Sequence, residues 1–418
     1  MFLLFFLITQ DSLPPIPDLT RIRFPEPPLW IVPEPNVFNL GGYAGNYYGG
    51  HCYFKYDRFS IAGQYKKEYT WDSIMSSTLN ASYSLPFPHV WLRPGLHAYL
   101  LHRNDEYRLL TPSLQFSSTL PWAMVRGVLH YDFWQIDRTN YTEEKARLSV
   151  IFDKMPFIPS LEVSELYSNG TTKPTLGMQF HIRNIHFNIG SAIVYGFPSP
   201  FVEIAYRQPK INIATRIKSG VVYQTLHDYF DPTLPIHYRI PVPGESLNIE
   251  AGFRFDVNLY EHIFALYGFY KDWKSRLIAG HEFELSNLHD VREATIGVMC
   301  RNRVSYNIIE ANNALHVDYH WTDSMIPFLS EYTIADTLSL HVSYVELASA
   351  LYYVSKRDGI TESLPSVFII NPRLAFVFRW LKIFVAIYNV TDKHAEVFDG
   401  YFLNERQYAG GLEIYYTF

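Results

Sequence analysis

The 418-residue chain has no run of about 18 apolar residues anywhere, so it has no segment long enough to cross a bilayer as a helix. Cysteine is almost missing. Cys52 and Cys300 are the only two, too few for a disulfide scaffold and without the paired spacing of a zinc site. Each falls in a strand-like segment, where it reads as a small apolar residue. Basic runs are missing as well: 35 Lys and Arg face 41 Asp and Glu for a net charge of −6, which leaves no electrostatic footprint for nucleic acid.

What remains is an even scatter of apolar residues. The chain is 48% hydrophobic, 17% aromatic and only 18% charged, with 32 Tyr and 30 Phe. A soluble domain would gather these residues into helical stripes or a few buried strands. Here they alternate with polar residues in segments of roughly ten, divided by Pro, Gly, Asn and Asp, which is the pattern of strands that are greasy on one face only. Ser246–Asp256 places Leu247, Ile249, Ala251, Phe253 and Phe255 against Ser246, Asn248, Glu250, Arg254 and Asp256. Arg292–Cys300, Lys145–Phe152 and Arg373–Trp380 repeat the alternation. One such segment fits a soluble sandwich, but so many, with no helix and no linker between them, fit a single closed barrel better. With helices excluded, a barrel is also the remaining way across a membrane.

The expected fold is therefore all-β, a transmembrane antiparallel barrel with short turns. At about 10 residues per strand plus a connection, roughly 16 to 22 strands fit, with 22 preferred. Residues 1–10, opening on an apolar run, read as a signal peptide. Residues 11–38 hold eight of the 26 prolines and read as a semi-rigid periplasmic spacer. Residues 39–418 are the barrel. Aromatics gather where strands should end, as in Tyr267, Phe269, Tyr270 and Trp273, and suit the headgroup level of a membrane.

The last segment alternates Tyr408, Gly410, Leu412, Ile414, Tyr416 and Phe418 against polar or small residues and ends on an aromatic. Upstream stand Phe384-Val-Ala-Ile-Tyr-Asn389-Val-Thr-Asp392-Lys393 and Gly400-Tyr-Phe-Leu-Asn-Glu-Arg406. This ending resembles the closing strands of TonB-dependent receptors, over roughly the last 50 residues. The resemblance implies a Gram-negative outer-membrane location, contact with the membrane lipid and with the barrel-assembly machinery through Tyr416 and Phe418, and transport of a solute. It implies neither enzyme chemistry nor a cofactor. Receptors of that kind carry a plug domain far larger than the 38 residues that stand before the barrel here, so the expectation is the barrel part alone, with a separate plug or periplasmic protein as partner.

Candidate chemistry is thin. His281-Glu-Phe-Glu284 and His289-Asp290 join imidazoles to carboxylates without metal-ligand spacing, and no Gly-x-Ser-x-Gly elbow occurs. The glycine-rich Gly41–Gly50 runs into a strand, where it would ease bending or close packing. Glu250, Arg254, Arg292, Arg373 and Arg379 are expected to line a polar lumen of mixed sign. The interruption His227–Gly244, with Asp228, Tyr229, Phe230, Asp231, His237, Tyr238 and Arg239, is expected to form an external loop. A non-conducting binding or structural barrel, and a soluble carbohydrate-binding protein, are the competing readings.

Overall fold

The computed structural model describes residues 37–417 except 46–47, 70–72, 103–105, 137–138, 153–154, 156–157, 169–170, 183, 195, 223–244, 280–284, 393–395, 399–400 and 403–404. Among them there is no helix. The strands begin with β1 (Val37–Gly45), β2 (Tyr48–Tyr56), β3 (Phe59–Tyr69), β4 (Ser73–Tyr83, continued by Leu85–Phe87), β5 (Val90–His102) and β6 (Glu106–Thr119). They continue as β7 (Met124–Ile136), β8 (Thr139–Ile151), β9 (Ile158–Ser168), β10 (Thr171–Ile182), β11 (Ile185–Val194) and β12 (Phe197–Arg207). After these come β13 (Ile211–Val222), β14 (Glu245–Leu259), β15 (His262–Ala279), β16 (Leu285–Tyr306) and β17 (Ile309–Thr322). The last are β18 (Tyr332–Val342), β19 (Val345–Val354), β20 (Val367–Val377), β21 (Leu381–Tyr388) and β22 (Gln407–Thr417). Each pairs antiparallel with its sequence neighbour, and β1 also pairs with β22, from Val37 opposite Thr417 to Gly45 opposite Ala409. The sheet thus closes into a 22-strand barrel, the upper end of the expected range.

Closure abolishes the free edges that would otherwise recruit other strands. It also sorts the alternating side chains: one face carries exposed Leu161, Leu176, Ile189, Ile213, Phe253 and Ile296, and the other carries nearly buried Glu203, Glu250, Lys271 and Glu293. An apolar exterior around a charged interior is stable only if the exterior meets lipid, which is the inverse of a soluble barrel. Where a cross-strand neighbour is glycine, an aromatic ring fills its place. A Cβ on Gly268 would stand 2.7 Å from the Phe253 ring, and one on Gly411 would stand 2.6 Å from that of Phe384. Such ring-over-glycine pairs pin register in curved sheets.

The two barrel ends differ. At one, strands are separated by only a few residues, as at 57–58, 260–261, 307–308 and 343–344, and both described chain termini lie there. These turns use left-handed backbone at Asp57, Tyr260, Asn307 and Ser343, with φ between 48° and 57°, and none of them is glycine. Exposed Tyr56, Trp122, Tyr260, Tyr306, Tyr344 and Trp380 ring this end, as an aromatic girdle requires. At the other end the connections lengthen along the chain, to 223–244, 323–331, 355–366 and 389–406.

Three expectations need correction. Prolines do not always divide strands: Pro88, Pro121 and Pro209 stand between them, but Pro94, Pro112, Pro159, Pro174, Pro198 and Pro200 stand inside them. Their fixed φ suits extended backbone, and Pro94 and Pro112 face exposed Leu114 and Leu96, so the rings join the lipid-facing surface. The segment Arg373–Trp380 is not one strand, because β20 ends at Val377. Leu247 does not share a face with Ile249: pairing passes from Leu247–Trp273 to Ile249–Asp272, so Asn248 is a bulge that turns Leu247 inward. Residues 1–36 and Phe418 lie outside the described residues, and the first strand begins at Val37.

Candidate functional site on the inner wall

The inner wall of β13 to β16 is crossed by a row of alternating charge. Lys218 stands opposite Glu250, Glu250 opposite Lys271, and Lys271 opposite Glu293. Lys218 Nζ lies 2.9 Å from Glu250, and Arg216 reaches the other oxygen of Glu250 at 3.6 Å. Arg276 binds Glu293 at 2.6 Å while the Trp273 indole N–H donates to the same carboxylate. The Lys271 ammonium sits 4.8 Å from the Phe269 ring centre and 5.4 Å from that of Trp273. Glu250, Lys271, Arg276 and Glu293 are all 6% exposed or less, so these charges hold one another rather than water.

Toward the long-loop end the row gives way to an apolar cluster of Leu247, Trp273, Val291 and Ile326. Ile326 belongs to connection 323–331, so this connection folds inward onto the wall. It is tied to its neighbour 355–366: Phe328 N–H donates to Asp358 O at 2.7 Å, Ser330 bridges Arg357, and Arg357 Nη1 donates to Pro365 O at 3.2 Å. Burial holds the Arg357 guanidinium below its ordinary pKa. Connection 323–331 thus packs onto the inner wall and carries 355–366 beside it. Asp228, Tyr229, Phe230, Asp231, His237, Tyr238 and Arg239 lie outside the described residues, as do His281 and Glu284.

Of the residues expected in the lumen, Glu250, Arg254 and Arg373 are on the inner face. Arg254 Nε donates to Asp256 at 2.8 Å. Arg373 lies 3.6 Å from Glu413 and 4.2 Å from the Phe384 ring centre, beside Lys382 bound to Glu346 at 2.9 Å. Arg292 and Arg379 are not. Arg292 is exposed and alternates with inward Glu293, so it faces outward opposite Asp272. Arg379 is exposed in the turn between β20 and β21. Lys218, Lys271, Arg276 and Glu293 escaped the sequence reading because a row across strands joins residues far apart in the chain. Among the described residues no group of three or more His, Cys, Asp or Glu is placed to hold a metal. His289 Nδ1 lies 3.2 Å from the Lys274 carbonyl.

The residues that carried the resemblance form one connected turn. Asn389 and Asp392 adopt left-handed backbone, Thr391 donates to Asn389 at 2.9 Å, and Arg406 N–H donates to Asp392 at 2.8 Å. Tyr416, opposite Phe38 of β1, is exposed on the outer face at the short-turn end.

A closed 22-strand barrel, apolar outside and charged inside, is the architecture of large outer-membrane transport barrels. No protein-family model matches the chain, and no curated protein matches it in sequence. Solved structures do match. A double mutant of the ferric enterobactin receptor PfeA of Pseudomonas aeruginosa superposes with TM-score 0.65 at 10% identity, over 91% of this chain and 80% of that one. The copper transporter OprC gives 0.65 at 10% identity, over 92% and 81%. The FrpB iron transporter of Neisseria meningitidis gives 0.66 at 9% identity, over 92% and 82%. The fold is therefore that of TonB-dependent receptor barrels.

Proposed function

We propose that this protein sits in the outer membrane of a Gram-negative cell and carries a solute through the barrel lumen. The short-turn end then faces the periplasm and the long-loop end the exterior. The observation that carries this reading is the inversion of polarity across the wall of a closed 22-strand barrel, with lipid-compatible residues outside and ion-paired charges inside. The neighbours named above are transporters and receptors rather than enzymes, which supports transport over catalysis. A barrel this wide needs its lumen filled to avoid leakage, so a plug or periplasmic partner belongs to the proposal. The inward fold of 323–331 favours a second reading, a barrel that binds at its mouth and conducts little.

The test is electrophoretic mobility before and after boiling, followed by conductance in a planar bilayer. Heat-dependent mobility with steady conductance is the expected result for an open transport barrel. Heat-dependent mobility with silence selects the occluded, binding reading. A chain soluble without detergent overturns both.

A further inference from the structure

On the inner wall from β13 to β22, seven bases, from Arg216 to Lys382, each have a carboxylate at 2.6 to 3.6 Å. The inner wall of β5 to β8 is different. Arg93, Arg126, Lys145 and Arg147 face the lumen there, and only Arg147 is bound to an acid, Glu162 of β9. Arg93 Nε and Nη2 both donate to the Ser82 hydroxyl, at 3.2 and 3.0 Å, and Arg126 Nε donates to Met124 Sδ at 3.1 Å. Among the described residues no carboxylate lies within ion-pair distance of Arg93, Arg126 or Lys145. Asp132 and Glu143 stand further toward the long-loop end and are 8% and 2% exposed, and Asp132 accepts from Thr111. Register fixes the direction of the four bases. Arg93 pairs with Gln115, Arg126 with Ser117 and Ser149, and Lys145 with His130, all in phase with inward Leu109 and Trp134 and out of phase with exposed Leu114, Leu129 and Leu148.

Arg93, Gln115, Val128 and Arg147 form one row across four strands, so roughly 14 Å separates its two ends. Arg126 lies two residues from Val128 on the short-turn side, and Lys145 two residues from Arg147 on the other, which spreads the patch over roughly 13 Å along the strands. Four cations thus share this area, with Gln115, Ser117 and Ser149 between them and one carboxylate in reach. The three guanidiniums keep their charge at every pH, so deprotonation does not relieve their repulsion. The patch also runs against the net charge of −6 carried by the chain. Anionic groups placed over it do relieve the repulsion, and the forked donors of arginine match the oxygens of carboxylate and phosphate. A single small anion meets one or two of these cations, whereas a solute with several anionic groups meets them all. Access is open, because Lys145 is exposed and the Arg147 side chain is 50% exposed. The patch lies toward the short-turn end, with Arg126 two residues from the start of β7, Arg93 three from the start of β5 and Arg147 four from the end of β8.

We infer that Arg93, Arg126, Lys145 and Arg147 form a binding site for a small polyanion, a solute bearing several carboxylate or phosphate groups, on the inner wall near the short-turn end. The inference rests on the reading that a solute passes through the lumen and names the chemical class of that solute. The full chain, purified in an uncharged detergent, is titrated calorimetrically with tripolyphosphate, citrate, acetate and spermine. Both polyanions are expected to bind at least tenfold more tightly than acetate, spermine is expected not to bind, and the affinity should fall as salt is added. The tighter of the two polyanions tells phosphate from carboxylate recognition. Arg93→Gln with Arg126→Gln, checked for heat-dependent mobility, should weaken polyanion binding about tenfold, whereas Arg379→Gln in its exposed turn should leave it unchanged. If the double variant does not fold, Lys145→Gln with Arg147→Gln replaces it. No binding of either polyanion, equal binding of spermine, or an unchanged affinity after these substitutions overturns the inference. Since the titration needs no conductance, a silent barrel that binds polyanions overturns open transport alone, and a conducting barrel that binds none overturns this site alone.

Discussion

Two rows of four residues cross the inner wall in direct register, and they could hardly differ more. In the first half, Tyr99, Leu109, Trp134 and Tyr141 line up across β5 to β8 as an apolar cluster. In the second, Lys218, Glu250, Lys271 and Glu293 line up across β13 to β16 as alternating charge. The surroundings differ in the same sense. Around the first row, neutral or singly charged contacts prevail, such as Asn80 with His97 at 2.5 Å and Thr111 with Asp132 at 2.5 Å. There, strands are separated at the long-loop end by little more than 103–105 or 137–138. Around the second row stand the 18-residue β15 and 22-residue β16, far longer than a membrane crossing needs, and connection 323–331 folds onto the wall. The first half is a wall. The second is a wall with a structure built onto its inside and top.

The largest expected effect separates the rows by chemistry. Glu293→Ala leaves the buried Arg276 guanidinium without its carboxylate and removes the acceptor of the Trp273 indole. It should lower stability by about 3–5 kcal/mol, read as the denaturant midpoint of the detergent-solubilised barrel. Leu109→Ala should lower the same midpoint by about 2–4 kcal/mol through lost packing. Single-channel conductance should follow Glu293 and not Leu109. Equal effects on conductance would abolish the functional difference between the halves.

The comparison also shows what the sequence could and could not reveal. The barrel was legible because polarity with a period of two survives even when one strand is blurred by a bulge. The strand number was legible only as a range, because prolines such as Pro112 and Pro174 look like breaks although their φ suits a strand. Individual inner residues were readable only where local alternation was regular, as at Glu250 and Arg254. Leu247 follows the apolar phase in sequence but is turned inward by the Asn248 bulge, and that turn creates the cluster with Trp273 and Ile326. Arg292, two positions from Ala294 on the same phase, could have been placed outward by strict alternation. Partners across strands, as in the charged row, leave no local signature, because strand pairing brings together residues that are distant in the chain.

The smallest expected effect decides whether the charged row acts as a unit. If Lys218 and Glu250 were an isolated buried pair, losing the lysine would strand a buried carboxylate and cost several kcal/mol. Glu250, however, also has Arg216 at 3.6 Å and Lys271 in direct register, and Lys218 itself is one-quarter exposed. Two cations remain when the third is removed, so Lys218→Met should lower stability by only about 1 kcal/mol. Glu250→Gln should cost more, because it leaves Lys218, Arg216 and Lys271 facing one another around a neutral amide. The ratio of the two losses, measured by the same denaturant midpoint, is therefore the readout. A Lys218→Met loss as large as that of Glu250→Gln would reduce the row to separate pairs and remove the reason for treating the second half as one continuous charged wall.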